Sequence, residues 1–304
     1  MKNQPSPPLI GIPALVVSGF LGAGKTTLVR HLLKDAQRQG LRLAIVSNEF
    51  GALGIDQALL GNQDSNSYVE LEGGCVCCKL SDELVKTLHQ LWEDVQPDRI
   101  VVETSGVALP FETLINFWRE PVTEWVGDSI AVVVVNAEQV AEGRDLEGTF
   151  EQQVSSADLV ILNKIDLIKP NQLEAIEKQL EPMAPGTPII RATNANVESK
   201  VLFTPDPDTQ AKRRGEQHTP HTHEAFESEE IQVEPEIDPE TLIKQVQSHQ
   251  ALRAKGFVQT SQGLRILQGV GTRIDLIETS VHPPDHLLNR IVVIRRSNKS
   301  DSKH

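Results

Sequence analysis

The segment Gly19-Phe-Leu-Gly22-Ala23-Gly24-Lys25-Thr26-Thr27 places glycines, a lysine and two hydroxyls in a spacing suited to holding a polyphosphate. Glycines let successive backbone N–H groups turn inward without Cβ interference, making an anion nest at the start of a helix. The preceding run Ala14–Ser18 reads as a strand, and a helical pattern opens at Lys25. In that setting Gly19, Gly22, Ala23, Gly24, Lys25, Thr26 and Thr27 cradle phosphates, with Lys25 reaching the β- and γ-phosphates and Thr26 ligating Mg²⁺. Chance alone produces such a pattern in roughly one chain in a hundred, and the flanking strand and helix make it rarer still.

A second box, Asn163-Lys164-Ile165-Asp166, follows the apolar run Leu159–Leu162. A carboxylate at Asp166 can accept from the ring N–H and the exocyclic amine of guanine together. Adenine offers no such pair, so the reading is GTP rather than ATP. Lys164 can lay its stem across the base, and Asn163 can bond the base edge and tie the loop down. The bland alternative is a helix-capping Asp after a strand.

Arg99–Val102 runs into Glu103-Thr-Ser-Gly106. Glu103 is placed to hold Mg²⁺ through water or to orient the attacking water, and both roles stay open. The Gly106 N–H is placed to sense the γ-phosphate. Catalysis is therefore expected from Glu103, Lys25 and Gly106. Asn48-Glu49-Phe50-Gly51 also follows a strand and opens a polar stretch to Asn66, which suits a switch loop with Glu49 near Mg²⁺.

All three cysteines lie in Gly73-Gly74-Cys75-Val76-Cys77-Cys78. A disulfide framework spreads its cysteines, so the cluster indicates metal or redox chemistry. A helix starting near Ser81 favours thiolates, and soft thiolates select Zn²⁺ first, with Cu(I) or Co²⁺ as alternatives. Three ligands leave a tetrahedral position open, which suits transfer and permits a metal-linked homodimer. His218, His221 and His223, three of nine histidines, form a candidate auxiliary Zn²⁺ site in a polar segment.

The net charge of −13 argues against a nucleic-acid surface. No run approaches the ~18–20 apolar residues that span a bilayer, so no membrane partner is expected. Residues 1–13 lack a signal-type apolar block and read as a disordered arm, so a cytoplasmic protein is expected.

Strand-like runs at Ala14–Ser18, Arg42–Ser47, Arg99–Glu103, Ser129–Asn136, Leu159–Asn163 and Thr187–Arg191 must position these groups. They alternate with helical patterns near Lys25–Gln39, Ser81–Val95, Phe111–Trp118, Leu146–Ser156 and Pro170–Glu181. Such alternation predicts an α/β fold, a parallel sheet with flanking helices, over residues 14–195. A flexible histidine-containing linker is expected at 196–228 and a disordered tail at 298–304. Between them, 229–297 offers strands at Ile231–Glu234, Lys255–Thr260, Gly263–Gly269, Arg273–Thr279 and Asn289–Ile294 with a helix at Pro239–Ser248. That composition predicts a small α+β domain.

Together the boxes at Gly19–Thr27, Asn48–Gly51, Gly73–Cys78, Glu103–Gly106 and Asn163–Asp166 resemble the CobW-like family of metallochaperone GTPases. These are relatives of the urease and hydrogenase nickel-insertion GTPases. Leu252–Phe257 resembles the start of that family's C-terminal domain. The resemblance implies a SIMIBI-class P-loop GTPase domain with a CobW C-terminal domain, and GTP binding with slow hydrolysis that gates delivery of Zn²⁺ to a client metalloprotein. Cobalt handling for cobalamin synthesis is the alternative within the family. A metal-sensing or buffering module with idle hydrolysis, and an ATP-using kinase, are the alternatives outside it. Ser47 and Ala52 stand where some relatives carry carboxylates as extra metal ligands.

Overall fold

The computed structural model describes residues 11–47, 68–72, 81–203, 226–279, 283 and 288–296. The chain divides into two units, one running to Pro185 and resuming over Ile189–Val197, the other comprising Gly186–Pro188 and the chain from Glu198.

The first unit holds seven strands: β1 Ile12–Ser18, β2 Leu43–Ser47, β3 Tyr68–Glu72, β4 Arg99–Glu103, β5 Val126–Asn136, β6 Leu159–Asn163 and β7 Ile189–Arg191. They form one sheet in the order β3-β2-β4-β1-β5-β6-β7, every pair parallel. Every residue of β2 and β6 is buried. That explains their unbroken Leu, Ile, Val and Ala content, because a parallel sheet is covered on both faces.

Helix α1, Lys25–Arg38, buries Leu28, Val29, Leu32, Leu33 and Ala36, the three-to-four spacing of one helical face. It ends in a left-handed Gly40, with Gly40 N–H bonded to Gln37 O and Leu41 N–H to Ala36 O, which turns the chain back toward β2. The helix Ser81–Val95 packs Leu84, Leu88, Leu91 and Trp92 into one cluster with Ala14, Val16, Ala44, Val46, Ile100 and Val102. Truncating Leu88 to Ala there would destabilise the unit by about 2–5 kcal/mol. A separate cluster joins Val133, Val135, Val160 and Leu162 to Phe150, Val154, Ile176 and Leu180.

Strand register brings the sequence boxes to one edge. Glu103 is level with Val17 and Ser47, Ser47 with Glu72, Asn136 with Asn163, and Leu162 with Arg191. Ligands of open α/β sheets bind at this C-terminal edge of the strands.

The second unit is a five-stranded antiparallel sheet, β8 Phe226–Gln232, β9 Arg253–Thr260, β10 Gly263–Val270, β11 Arg273–Glu278 and β12 Arg290–Arg296, ordered β11-β10-β9-β12-β8. The helix Pro239–Ser248 starts on Asp238, whose carboxylate accepts from Thr241 N–H at 3.0 Å. Leu242 and Val246, one turn apart, join Ile231, Val258, Leu267, Ile291 and Val293 in a core of their own.

The α/β plus α+β class matches the sequence reading, while several elements differ from it. β1 begins at Ile12 rather than Ala14, inside the expected arm; Ile12 pairs with Val126, and the register shifts around Pro13, which has no N–H to give. β3 was not expected, because only five alternating residues mark it. The pattern over 111–118 becomes a helix at Pro110–Leu114 followed by a 3₁₀ turn at Ile115–Trp118. Asn116 Nδ2 there donates to Glu112 O and Thr113 O, occupying carbonyls that a longer helix would use. The expected linker at 196–228 opens with a helical turn, Ser199–Leu202, whose Leu202 carbonyl accepts from the buried Arg253 guanidinium at 3.1 Å. It closes inside β8, an acidic strand offset by Arg290–Glu230 at 2.5 Å and Arg295–Glu229 at 3.2 Å on β12.

Candidate functional site

The phosphate loop leaves β1 at Ser18 and enters α1 at Lys25. Gly24 is the residue capping α1, so no side chain caps the helix, and its first turn holds no acidic residue. The N–H groups of a helix's first turn have no intrahelical acceptor, and the helix dipole there favours an anion. Two glycines are needed for close approach as well as for backbone shape. Gly19 has φ 137°, and a Cβ there would lie 2.2 Å from Val134 O. Gly24 has φ 112°, and a Cβ would meet Asn163 Nδ2 at 2.4 Å. Lys25 is buried, with Nζ 3.4 Å from Phe20 O, so its ammonium stays at the loop rather than extending into solvent. Gly22 lies exposed at the loop tip, Ala23 is buried beneath it, and Thr27 is half-buried in the first turn of α1.

Glu103 ends β4 with no solvent exposure. Thr26 Oγ1 donates to its Oε1 at 2.7 Å, and Ser47 Oγ donates to its Oε2 at 3.4 Å. A buried carboxylate is unfavourable unless hydrogen bonds or cations answer it. Here a hydroxyl of the phosphate loop and one from the end of β2 converge on it. Oxygen donors of this kind, beside an uncapped helix terminus, fit a hard cation such as Mg²⁺. Gly106 follows three residues later, its Cα side turned to the phosphate loop, where a Cβ would sit 3.1 Å from Leu21 N.

Asn163 ends β6 and is buried. Its Nδ2 donates to Ala23 O at 2.8 Å, and its Oδ1 accepts from Ala195 N–H at 2.7 Å. Lys164 takes a left-handed turn, φ 62°, into the 3₁₀ turn Ile165–Leu167, which leaves Asp166 exposed. Ile165 N–H bonds Ala192 O, holding the box against the chain that follows β7. His31 of α1 supports the same chain through an Nε2 contact to Asn194 O at 3.0 Å. Burial is the largest influence on His31 and lowers its pKa; the Asn194 bond raises it, and Lys34 and Arg38 lower it further.

The structure therefore brings Gly19–Thr27, Glu103, Gly106 and Asn163 together at one edge. Asn48–Gly51 with Glu49, the cysteines Cys75, Cys77 and Cys78, and His218, His221 and His223 lie outside the described residues. Among the described residues no group of three or more His, Cys, Asp and Glu side chains could hold a metal ion, and no helix is long and apolar enough to cross a membrane. Sequence reasoning missed Ala195, because a backbone N–H carries no side-chain signal. It also missed the buried amide of Gln153, which donates to Gly106 O at 3.1 Å and Ala108 O at 3.0 Å. Only its place on the apolar face of a short helix could have pointed to it.

A parallel sheet with an uncapped, glycine-led helix after its central strand and a buried carboxylate on the neighbouring strand is a P-loop nucleotide-binding domain. Residues 13–191 match the CobW/HypB/UreG nucleotide-binding domain, and residues 226–302 match the cobalamin synthesis protein cobW C-terminal domain. The chain belongs to the CobW/HypB/UreG family of P-loop GTPases. It is 34% identical to the zinc chaperone CobW of a Sinorhizobium species over 87% of this chain and 86% of that protein. It is 33% identical to the zinc chaperone CobW of Pseudomonas aeruginosa over 90% of this chain and 84% of that one. In fold it is similar to the Zn(II)-bound YjiA GTPase from Escherichia coli, with a TM-score of 0.50, 21% identity and coverage of 93% and 94% of the two chains.

Proposed function

We propose that this protein is a GTP-gated metallochaperone that carries Zn²⁺ on Cys75, Cys77 and Cys78 and releases it to a client metalloprotein in the cytoplasm, where thiols stay reduced. The observation that carries the reading is the convergence on Glu103. One carboxylate holds the Thr26 hydroxyl of the phosphate loop and the Ser47 hydroxyl that directly precedes Asn48. Glu72, three residues before Cys75, is level with that same Ser47. A change at the γ-phosphate would thus have a short hydrogen-bonded route to the strands leading to and from the proposed switch and metal segments. The similarity to zinc chaperones over most of both chains supports the choice of cargo.

In this reading the amides of Gly22–Thr27 and the Lys25 ammonium hold the α-, β- and γ-phosphates. Asp166 selects guanine, while Lys164 covers the base. Asn163 locks the base loop to the phosphate loop. Mg²⁺, when bound, neutralises charge on the β- and γ-phosphates. Thr26 and Glu103 would hold it, with Glu49 as a further candidate. Gly106 senses the γ-phosphate. No arginine finger stands among the motifs, so slow intrinsic turnover raised by a partner is expected. His218, His221 and His223 would serve as an auxiliary capture site, and an open thiolate site permits a metal- or nucleotide-linked homodimer. Co²⁺ is the second cargo to consider, because the C-terminal domain matches a family described by cobalamin synthesis.

The test is Zn²⁺ affinity, measured by competition with a chromophoric chelator in Mg²⁺–GDP and in a non-hydrolysable GTP analogue. Co²⁺ and a Cys75/Cys77/Cys78 triple-Ser variant run in parallel. High affinity that needs the cysteines and differs severalfold between nucleotides supports gating, for which ~1.4 kcal/mol of coupling gives tenfold. Equal affinity in both states means that the ion is structural or stored, and the chaperone reading fails.

A further inference from the structure

Gln153 lies on the short helix Thr149–Ser155 with no solvent exposure. Both N–H bonds of its amide are used on the turn that carries Gly106, one to Gly106 O at 3.1 Å and one to Ala108 O at 3.0 Å. Ser18 Oγ, at the end of β1, donates to the same Ala108 carbonyl at 3.2 Å. Ala108 N–H closes the turn on Ser105 O. The Gln153 Oε1 atom is buried and has no hydrogen-bond partner. A buried orphan acceptor destabilises the fold. A side chain chosen for packing alone would be Leu or Met at this position, so the two donated bonds must offset that penalty.

Those bonds fix a geometry. Peptide planarity sets each N–H opposite its C=O. With the Gly106 and Ala108 carbonyls drawn inward to Gln153, the next N–H groups, on Val107 and Leu109, point the other way; the Gly106 N–H is set by its own peptide, whose Ser105 carbonyl is held by the Ala108 N–H of the same turn. Val107 between them is looped out and 65% exposed. Gly106 stays against Leu21 of the phosphate loop.

We infer that Gln153 is a positioning residue for the GTPase reaction. It holds the Ser105–Ala108 turn ready beside the phosphate loop, so that Gly106 meets a γ-phosphate without first being ordered. This rests on the GTPase reading and deepens it. GDP has no γ-phosphate, so the benefit belongs to GTP alone.

The experiment compares Mg²⁺–GDP and non-hydrolysable GTP-analogue affinities, with steady-state GTP turnover, for the full-length protein and Gln153→Met, which keeps the volume and removes the donors. GDP affinity is expected within about twofold of wild type, with analogue affinity and kcat each lower by about tenfold, the size of one lost buried hydrogen bond. A merely structural residue would weaken both nucleotides together; that outcome, or no change in either, overturns the inference. Hydrogen exchange on the GDP-bound wild type gives a reading free of any variant. The Ala108 amide should be protected at least about tenfold over unstructured peptide, and exchange at the free-peptide rate overturns the inference even if Gln153→Met fails to fold. A wild type that binds neither nucleotide would sink the GTPase reading itself, whereas normal binding without a GDP/GTP split sinks only the role of Gln153.

Discussion

Asn163 donates from Nδ2 to the Ala23 carbonyl at 2.8 Å, a bond between residues 140 apart in the chain. The same amide accepts from Ala195 N–H at 2.7 Å. One side chain therefore clasps the phosphate loop and the chain after β7, and both bonds are buried. Asn163→Ala removes both partners, and each stranded group destabilises by about 1–3 kcal/mol. GDP and GTP-analogue affinities are expected to fall together, by roughly 10–100-fold, since both nucleotides share the base and the first two phosphates. Preference for guanine over adenine should persist through Asp166. Fluorescent-nucleotide titration reads all of this; a loss confined to the analogue would place Asn163 at the γ-phosphate instead.

Gly24 and Gly40 make a matched pair. Both have positive φ, 112° and 67°. A Cβ at Gly40 meets nothing within 4 Å, whereas one at Gly24 runs into Asn163 Nδ2 at 2.4 Å. Gly40→Ala should lower stability by only ~1 kcal/mol, the strain of a left-handed alanine, and leave nucleotide binding intact. Gly24→Ala should abolish measurable GTP and GDP binding, because the clasp and the loop cannot both keep their places. Equal nucleotide affinities in the two variants would show that the loop adapts and that the contact is unimportant.

Much of this was legible in the sequence for a physical reason. Parallel strands are buried on both faces, so β2 and β6 read as unbroken apolar runs, and the strand-end residues Glu103 and Asn163 fall where those runs stop. Gly19 and Gly24 announce themselves because no other residue tolerates their φ and close contacts. What was not legible are the partners set by tertiary register. Ser47 read as the place of a missing carboxylate, yet it donates to Glu103 because β2 and β4 happen to be level there. Ala195 contributes a backbone N–H that no side chain signals, and Gln153 a buried amide marked only by its place on the apolar face of a short helix. β8 starts at Phe226, inside the expected linker and ahead of the strand expected at Ile231–Glu234, because its acidic residues are matched by arginines of β12, about 60 positions away in sequence.

Glu103 is open to two roles, and its bond to Thr26 Oγ1 favours the cation role that we propose for it. In that proposal the carboxylate and the Thr26 hydroxyl would hold Mg²⁺ together. Glu103→Gln keeps the shape and removes the charge. The Mg²⁺ concentration for half-maximal GTPase activity should rise by about tenfold or more, since a hard divalent cation loses an anionic partner. Thr26→Ala should shift the same curve in the same direction. A fall in kcat at an unchanged Mg²⁺ requirement would assign Glu103 to the attacking water.

His31 predicts a specific pH dependence. Its ring is half-buried on α1 against Asn194 O, and burial, followed in effect by Lys34 and Arg38, holds its pKa below the usual 6.5. The sign follows from proton counts. Above the unfolded pKa the ring is neutral in both states and contributes no slope. As pH falls through about 6.5 the unfolded chain takes up the proton first, so folding stability is lost from there down to the lower, folded pKa. Gln at position 31 can still donate to Asn194 O and does not titrate. His31→Gln should therefore match wild type in urea midpoint at pH 7.5 and exceed it at pH 5.5. Nucleotide affinity should follow the same trend, because His31 braces the chain that presents Ala195 to Asn163. Parallel decline of the two proteins between those pH values would move the acid sensitivity to other groups and leave His31 a simple spacer on α1.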